Sequence, residues 1–234
     1  MITSPMTLEQ SALATARAQE HWSKRHQELA LKKGGQTARP WTIAITREAG
    51  TDGTAIAQEV ASKLGWAVYD RELVEKIAQD MGLHASLLDT VDEHRRGWLI
   101  EFAEGFSSSD MSENRYVRHL VETLMSLGSH GHCVIVGRGA AQVLPPESTL
   151  RVRLVGKLED RIKDVQQKLS LAHDAAERWV RDTDKERTQF VKSHFSKNPC
   201  EPEQCDLVLN TSRWSSTECV ELIVQALRLA EKKA

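Results

Sequence analysis

The chain has 234 residues, with 31 Lys and Arg against 33 Asp and Glu, and a formal net charge of −2. That length suits one large α/β domain, or one domain with an appendage. The near-neutral balance excludes a global field that would steer the protein onto nucleic acid, and no run of 18 apolar residues is present to span a membrane.

Thr7 and Gln10 have capping-box spacing ahead of a helix-prone run whose larger apolar groups are Leu8, Leu13, Trp22 and Leu29. Gly34-Gly35 and then Pro40 are stop signals. Residues 1–36 therefore read as an N-terminal helical extension. Its apolar stripe is thin, so it needs a surface to pack on: its own domain, or a second subunit in a homodimer. This start lacks the basic-then-apolar pattern of a secretion signal. Cys133, Cys200, Cys205 and Cys219 form no CxxC pair, and reduced thiols in a cytoplasmic protein are expected.

The main domain is expected over residues 41–234. A β-branched apolar run at 41–46 reads as a strand, followed by a glycine-bearing loop and a helix over 54–64 that Gly65 ends. Residues 66–69 read as a short strand, and 71–81 as a helix with Leu73, Val74, Ile77 and Ala78 on one face. Residues 84–130 read as a helical insertion, broken near Gly97 and the Ser107-Ser108-Ser109 run, with an amphipathic helix ending near Gly128. The apolar run 133–136 is the mark of a strand buried on both faces. Residues 150–155 alternate, placing Arg151 and Arg153 on one sheet face. Helices are expected over 158–169 and 172–195, the second with a break left open, then a strand at 206–210. Ser215 and Glu218 form a second capping box ahead of the last helix.

Strands alternating with helices imply a parallel sheet of about five strands covered on both faces, an αβα sandwich. Ligands of such sheets gather beyond the C-terminal strand ends. Four loops leave strands at those ends: 47–53, Asp70-Arg71, Gly137-Arg138-Gly139 and Asn210-Thr211. The first, between strand and helix, is the arrangement that aims backbone N–H groups at phosphate. Against the phosphate-loop pattern GxxxxGK[ST], Arg47 takes the first glycine, Asp52 the last and Gly53 the lysine, while Thr54 keeps the Ser/Thr position. Gly50 and Gly53 either admit phosphate to the backbone or only make a tight turn. Thr54 either ligates Mg²⁺ or caps the helix. Arg47 either restores the missing positive charge or pairs with Glu48 or Asp52. Arg138, between two glycines at the end of a buried strand, suits bidentate phosphate recognition, with a structural carboxylate pair as the alternative. The histidines show no paired-ligand spacing and read as structural or exposed.

The pieces ITREAGTDGTAIAQEVASKLG, YDRELVEKIA, VGRGAAQVLP, LRVRLVGKLEDRIKDV, DKERTQFVKSHF and CDLVLNTS together resemble the cytidylate kinase-like family of P-loop nucleoside monophosphate kinases, in the family's order. The resemblance implies a P-loop kinase-like sheet, ATP as phosphoryl donor with Mg²⁺, and a nucleoside monophosphate acceptor, CMP or dCMP favoured. It implies that Arg47, Gly50, Thr51, Asp52, Gly53, Thr54 and Asn210 border the donor. Asp70, Arg71, Arg138 and Arg161 would face the acceptor. Arg138 would act on the transferring group, as would Arg181, Asp184 and Arg187 from lid-like helices in residues 157–200, where Asp184, three residues from each arginine, is spaced to brace either one. The bland alternatives are an N-cap for Asp70, a turn for Asn210 and a solvated charged face for the lid arginines.

Overall fold

In the computed structural model, residues 7–31, 40–91, 111–195, 198 and 200–233 are described, the side chains of residues 29 and 111–114 excepted. The breaks expected at Gly97 and residues 107–109, and the Gly34-Gly35 stop, lie outside the described residues.

Five parallel strands form one sheet in the order β2-β3-β1-β4-β5. Central β1 (Thr42–Arg47) pairs with β3 (Cys133–Val136) on one side and β4 (Thr149–Val155) on the other. Edge strands β2 (Ala67–Tyr69) and β5 (Leu207–Asn210) pair with β3 and β4. Alternation along the strands divides the core in two. Ala44 and Ile135 face a layer containing Tyr69, Ile77, Leu120 and Leu124. Ile43, Ile45, Val134 and Val136 face the other, with Ile56, Val60, Val220 and Ile223. Every residue of β3 is buried, whereas β4 alternates after its first two residues, as a strand reaching toward solvent does.

Helix α2 (Gly53–Leu64) begins one residue before the expected start and ends at Gly65, whose positive φ of 66° lets its N–H reach back to Ala61 and Ser62. The helix expected over 71–81 forms and stops two residues early. α3 (Arg71–Gln79) is capped by Asp70, which accepts from the Leu73 N–H at 2.9 Å. Asp80, extended at φ −83° and ψ 107°, then accepts from the Gly82 and Leu83 N–H groups and starts α4 (Met81–Asp89). Helix α5 (Met111–His130) runs past Gly128, and a short α6 (Ala140–Val143) follows β3. α7 (Leu158–Leu169) and the unbroken α8 (His173–Phe195) pack together through Ile162, Val165, Ala176 and Val180. The capping box at Ser215 and Glu218 is formed and opens α9 (Ser216–Glu231).

The N-terminal helix α1 (Leu8–Leu31) lies on its own domain. Ala18 and Trp22 are buried in the first core layer, Trp22 with 1 % exposure. Arg25 Nε donates to the His130 carbonyl at 2.9 Å, and His21 Nδ1 lies 2.8 Å from the Tyr69 hydroxyl. No helix among the described residues is long and apolar enough to cross a membrane.

Two outcomes follow from this packing. Trp22→Ala is expected to cost about 3–5 kcal/mol in urea unfolding, the loss typical of a large buried aromatic; a loss near zero would make α1 a mere appendage. Burial first, and then the nearby Arg25 charge, push the His21 imidazole from 6.5 down to about 4. His21 is thus neutral in the fold and protonates more readily when unfolded. Its contribution is fully present above pH 6.5 and is lost as pH falls from 6.5 toward 4. Urea midpoints across that window should fall, and less steeply in His21→Phe.

Candidate functional site

β1 delivers Arg47 at its C-terminal end, and the side chain turns across the following loop. A Cβ built on Gly53 would stand 2.9 Å from Arg47 Cγ, and one on Gly137 would strike the Arg47 guanidinium. Gly53, at the place of the phosphate-loop lysine, is therefore where Arg47 passes; a larger residue there would displace it. Beyond β3, Gly137, Arg138 and Gly139 all have positive φ, of 79°, 52° and 74°. For Arg138 that conformation costs roughly 1–2 kcal/mol. Gly139 leaves no room for a Cβ against the Phe195 ring.

These turns bring Arg47, Arg71, Arg138, Arg153 and Arg187 onto one cavity of about 280 Å³ beside the strand ends. Arg138 pairs with Glu75 of α3, and its guanidinium carbon sits 4.6 Å from the Phe190 ring centroid. Arg71 Nε is 3.6 Å from the same Glu75. Arg187 donates to the Arg47 carbonyl at 3.1 Å, and Arg153 lies 3.6 Å from Glu48. Among the described residues no carboxylate pairs with Arg47. Burial, followed by the charges of Arg187, Arg71 and Arg138, pushes Arg47 down to about 9. Burial also lowers Arg187 and Arg138, opposed by Asp184 in the first case and by Glu75 in the second. Several cations are held close at the cost of mutual repulsion, an arrangement that a multiply charged anion relieves.

The loop after β1 is knit to α7 and α8. Asp184 Oδ1 accepts from the Ala49 N–H at 2.7 Å, and its Oδ2 pairs with Arg161 at 2.6 Å. Arg161 also donates to the Ala49 and Gly156 carbonyls. The Cα hydrogen face of Gly50 abuts the Arg161 backbone. Glu48 accepts from the Gly156 N–H at 3.1 Å. A carboxylate thus holds a loop N–H of the kind that receives phosphate oxygens in a glycine-bearing loop.

The structure separates the expected site residues. Arg47, Arg71, Arg138, Asp184 and Arg187 line the cavity. Arg161 does not: it is 8 % exposed and turned inward as a brace. Arg181 is also elsewhere, on the exposed face of α8, where it pairs with Glu177 one turn away at 2.7 Å. Asp184 braces Arg161 instead of Arg181 or Arg187. Gly50, Thr51, Asp52, Gly53 and Thr54 do not line this cavity. The Thr51 hydroxyl donates to the Glu48 carbonyl, and Asp52 is the residue before α2 and pairs with Lys168. Thr54 is exposed and is the second residue of α2, so it is not the cap. Asp70 caps α3, and the Asn210 side chain accepts from the Ser212 N–H in the turn after β5. The sequence reading missed Glu75 and Phe190, named Glu48 only as a partner for Arg47, and gave Arg153 a sheet face but no role at the site. The Arg71–Glu75 spacing of four on a helix was the available signal. Among the described residues no three His, Cys, Asp or Glu side chains converge at the cavity.

Residues 42–213 match the model of the cytidylate kinase-like family. A cytidylate kinase of Methanopyrus kandleri is 25% identical over 195 residues, covering 79% of this chain and 92% of the relative. A uronate isomerase of Corynebacterium glutamicum is 28% identical over 125 residues, 53% of this chain; the match spans only 24% of that relative. The crystal structure of an uncharacterized protein from Eubacterium ventriosum superposes with a TM-score of 0.64 at 18% identity, over 79% of this chain and 96% of the other, which shows a shared fold.

Asp184→Asn tests the hold on the loop. It should lower stability by about 1.5–3 kcal/mol, the worth of hydrogen bonds to a charged group. Removing its charge from among the arginines should also tighten tripolyphosphate binding in calorimetry. Unchanged binding would place the anion away from Asp184.

Proposed function

From the premise that the chain belongs to the cytidylate kinase-like family, we propose that it transfers a phosphoryl group from ATP to a nucleoside monophosphate, CMP or dCMP in the first place. The observation that carries this reading is the gathering of five arginines on one cavity at the strand ends, with Arg47 left without a carboxylate partner among the described residues. Phosphoryl transfer asks a protein mainly to position two anions and to neutralise the charge between them. The bond from the γ-phosphorus to its bridging oxygen breaks, an acceptor phosphate oxygen takes the phosphoryl group, and ADP leaves with a nucleoside diphosphate.

In this reading Arg71 and Arg138 hold the acceptor phosphate, with Glu75 fixing the direction of both guanidinium groups. Arg187, arriving from α8, and Arg47, arriving from β1, face the group in transfer. Arg47 replaces the missing lysine with a planar fork of donors, which grips two oxygens instead of acting as a point charge. Magnesium would come with the nucleotide as its counter-ion, and the exposed Thr54 hydroxyl, in the first turn of α2 and off the cavity lining, would be the protein group to hold it. A cavity of about 280 Å³ lies just below the usual range for whole ligands, roughly 300–1,000 Å³. It suits a phosphate chain, and the bases would lie outside it. Preference for cytosine rests on the relation to the Methanopyrus kandleri cytidylate kinase.

A second reading keeps nucleotide binding without turnover. It is favoured by Gly53 at the lysine position and by Asp184 on the Ala49 N–H. One experiment separates the two. ATP should be consumed in the presence of CMP or dCMP, and Arg138→Ala should lower turnover about 100-fold or more with little change in melting temperature. Folded protein that is stabilised by ATP yet transfers nothing to any of a full panel of nucleoside monophosphates would establish the second reading.

A further inference from the structure

Away from the arginine cavity, two histidines and a glutamate far apart in the chain meet inside the helical layer. His84 lies on α4; His119 and Glu122, three residues apart, share one face of α5. All three are buried, at 4 %, 8 % and 4 % exposure. One ligand atom from each lies within 4.8 Å of the others. His84 Nε2 is 3.1 Å from Glu122 Oε2. The two imidazoles stack with their centroids 4.5 Å apart. Arg118 Nε stands 3.6 Å from Oε1, the other carboxylate oxygen, leaving Oε2 turned to the histidines.

The second observation is what this cluster lacks. His84 Nε2 is fully enclosed and has no hydrogen-bond partner among the described residues, in spite of its proximity to Glu122. Buried polar atoms are nearly always satisfied, and each exception asks for a missing partner. Here the unpartnered nitrogen belongs to a group whose three potential ligand atoms lie within 4.8 Å of one another.

We propose that His84, His119 and Glu122 form a divalent-metal site, selective for zinc or a similar borderline cation, that ties α4 to α5. Two ligands on a tetrahedral zinc, each about 2.1 Å from it, stand roughly 3.4 Å apart. The His84–Glu122 spacing of 3.1 Å is close to that value. Both remaining separations involve His119 and are no more than 4.8 Å, so a small swing of that ring completes the set. Two imidazoles and one carboxylate suit zinc, while magnesium and calcium favour all-oxygen surroundings. The site is thus chemically distinct from the magnesium that accompanies a nucleotide. Three protein ligands leave a position open, and the ion would cross-link the helices that flank Arg71 and Glu75.

The test uses full-length, tag-free protein stripped with a chelator and then titrated with Zn²⁺ or Co²⁺. One ion should bind per chain, melting should rise, and bound Co²⁺ should show visible bands of nitrogen and oxygen ligands without thiolate charge transfer. His119→Ala and Glu122→Gln should each weaken binding at least about tenfold while far-ultraviolet dichroism and tripolyphosphate binding stay unchanged; His84→Gln replaces either variant that fails to fold. No binding or melting shift with either metal in the wild-type chain overturns the proposal. So does binding that survives both His119→Ala and Glu122→Gln, or that is lost when Cys200 and Cys205 are changed to serine.

Discussion

The structure around the cavity depends on one constraint: a long arginine leaves the end of the central strand and crosses the loop that follows it. Arg47 takes the space above Gly53 and reaches Gly137 on the neighbouring strand end. Both glycines are accounted for by that passage, and the absence of a lysine at position 53 is its steric consequence. Positive charge still reaches the strand ends, but it comes from the sheet side of the loop instead of from the first turn of α2. With Arg187 donating to the Arg47 carbonyl, the backbone of the same residue also anchors the helix that brings a second cation.

The sheet order makes this possible. β1 lies between β3 and β4, so Arg47 stands between the turn carrying Arg138 and the strand carrying Arg153. Parallel strands place all these ends on one edge. Like charges at such spacing repel, and that repulsion adds to burial, the larger cause, in lowering the affinity of Arg47, Arg138 and Arg187 for their protons. Glu75, Glu48 and Asp184 relieve only part of it. The fold therefore holds cations together at the strand ends before an anion arrives, and such preorganisation is what makes electrostatic stabilisation effective.

Most elements were legible from sequence because their signals are local. The wholly apolar 133–136 run is β3, and both capping boxes form. Asp80 was harder: its capping role depends on one extended residue between two helical segments, which apolar periodicity does not record. Helical spacing on α8 suggested that Asp184 could brace Arg181 or Arg187, yet its partners are Ala49 and Arg161 on other elements. Arg151 and Arg153 share a sheet face as the alternation implied, but they differ in position along β4. Arg151 pairs with Asp206, while Arg153, two residues nearer the C-terminal end, reaches the cavity. In the His84–His119–Glu122 group only His119 and Glu122 share an element, and chain spacing does not reveal that His84 joins them from α4.

Asp184 links the loop to the cavity and gives the two a competing interest. Its carboxylate holds the Ala49 N–H, fixes Arg161 and lowers the net charge beside Arg187. An anion that used the Ala49 N–H would have to displace Asp184, and the Arg161 guanidinium would then lose its ion-pair partner at that end. Glu48, 3.4 Å from Arg161 Nε, is placed to retain it. Release of the carboxylate from the loop need not strand a buried cation, because Arg161 keeps the Glu48 contact and the Gly156 carbonyl. The same side chain can therefore close the loop in the absence of an anion and yield it when one arrives, with the cost confined to exchanging one set of charge-assisted hydrogen bonds for another.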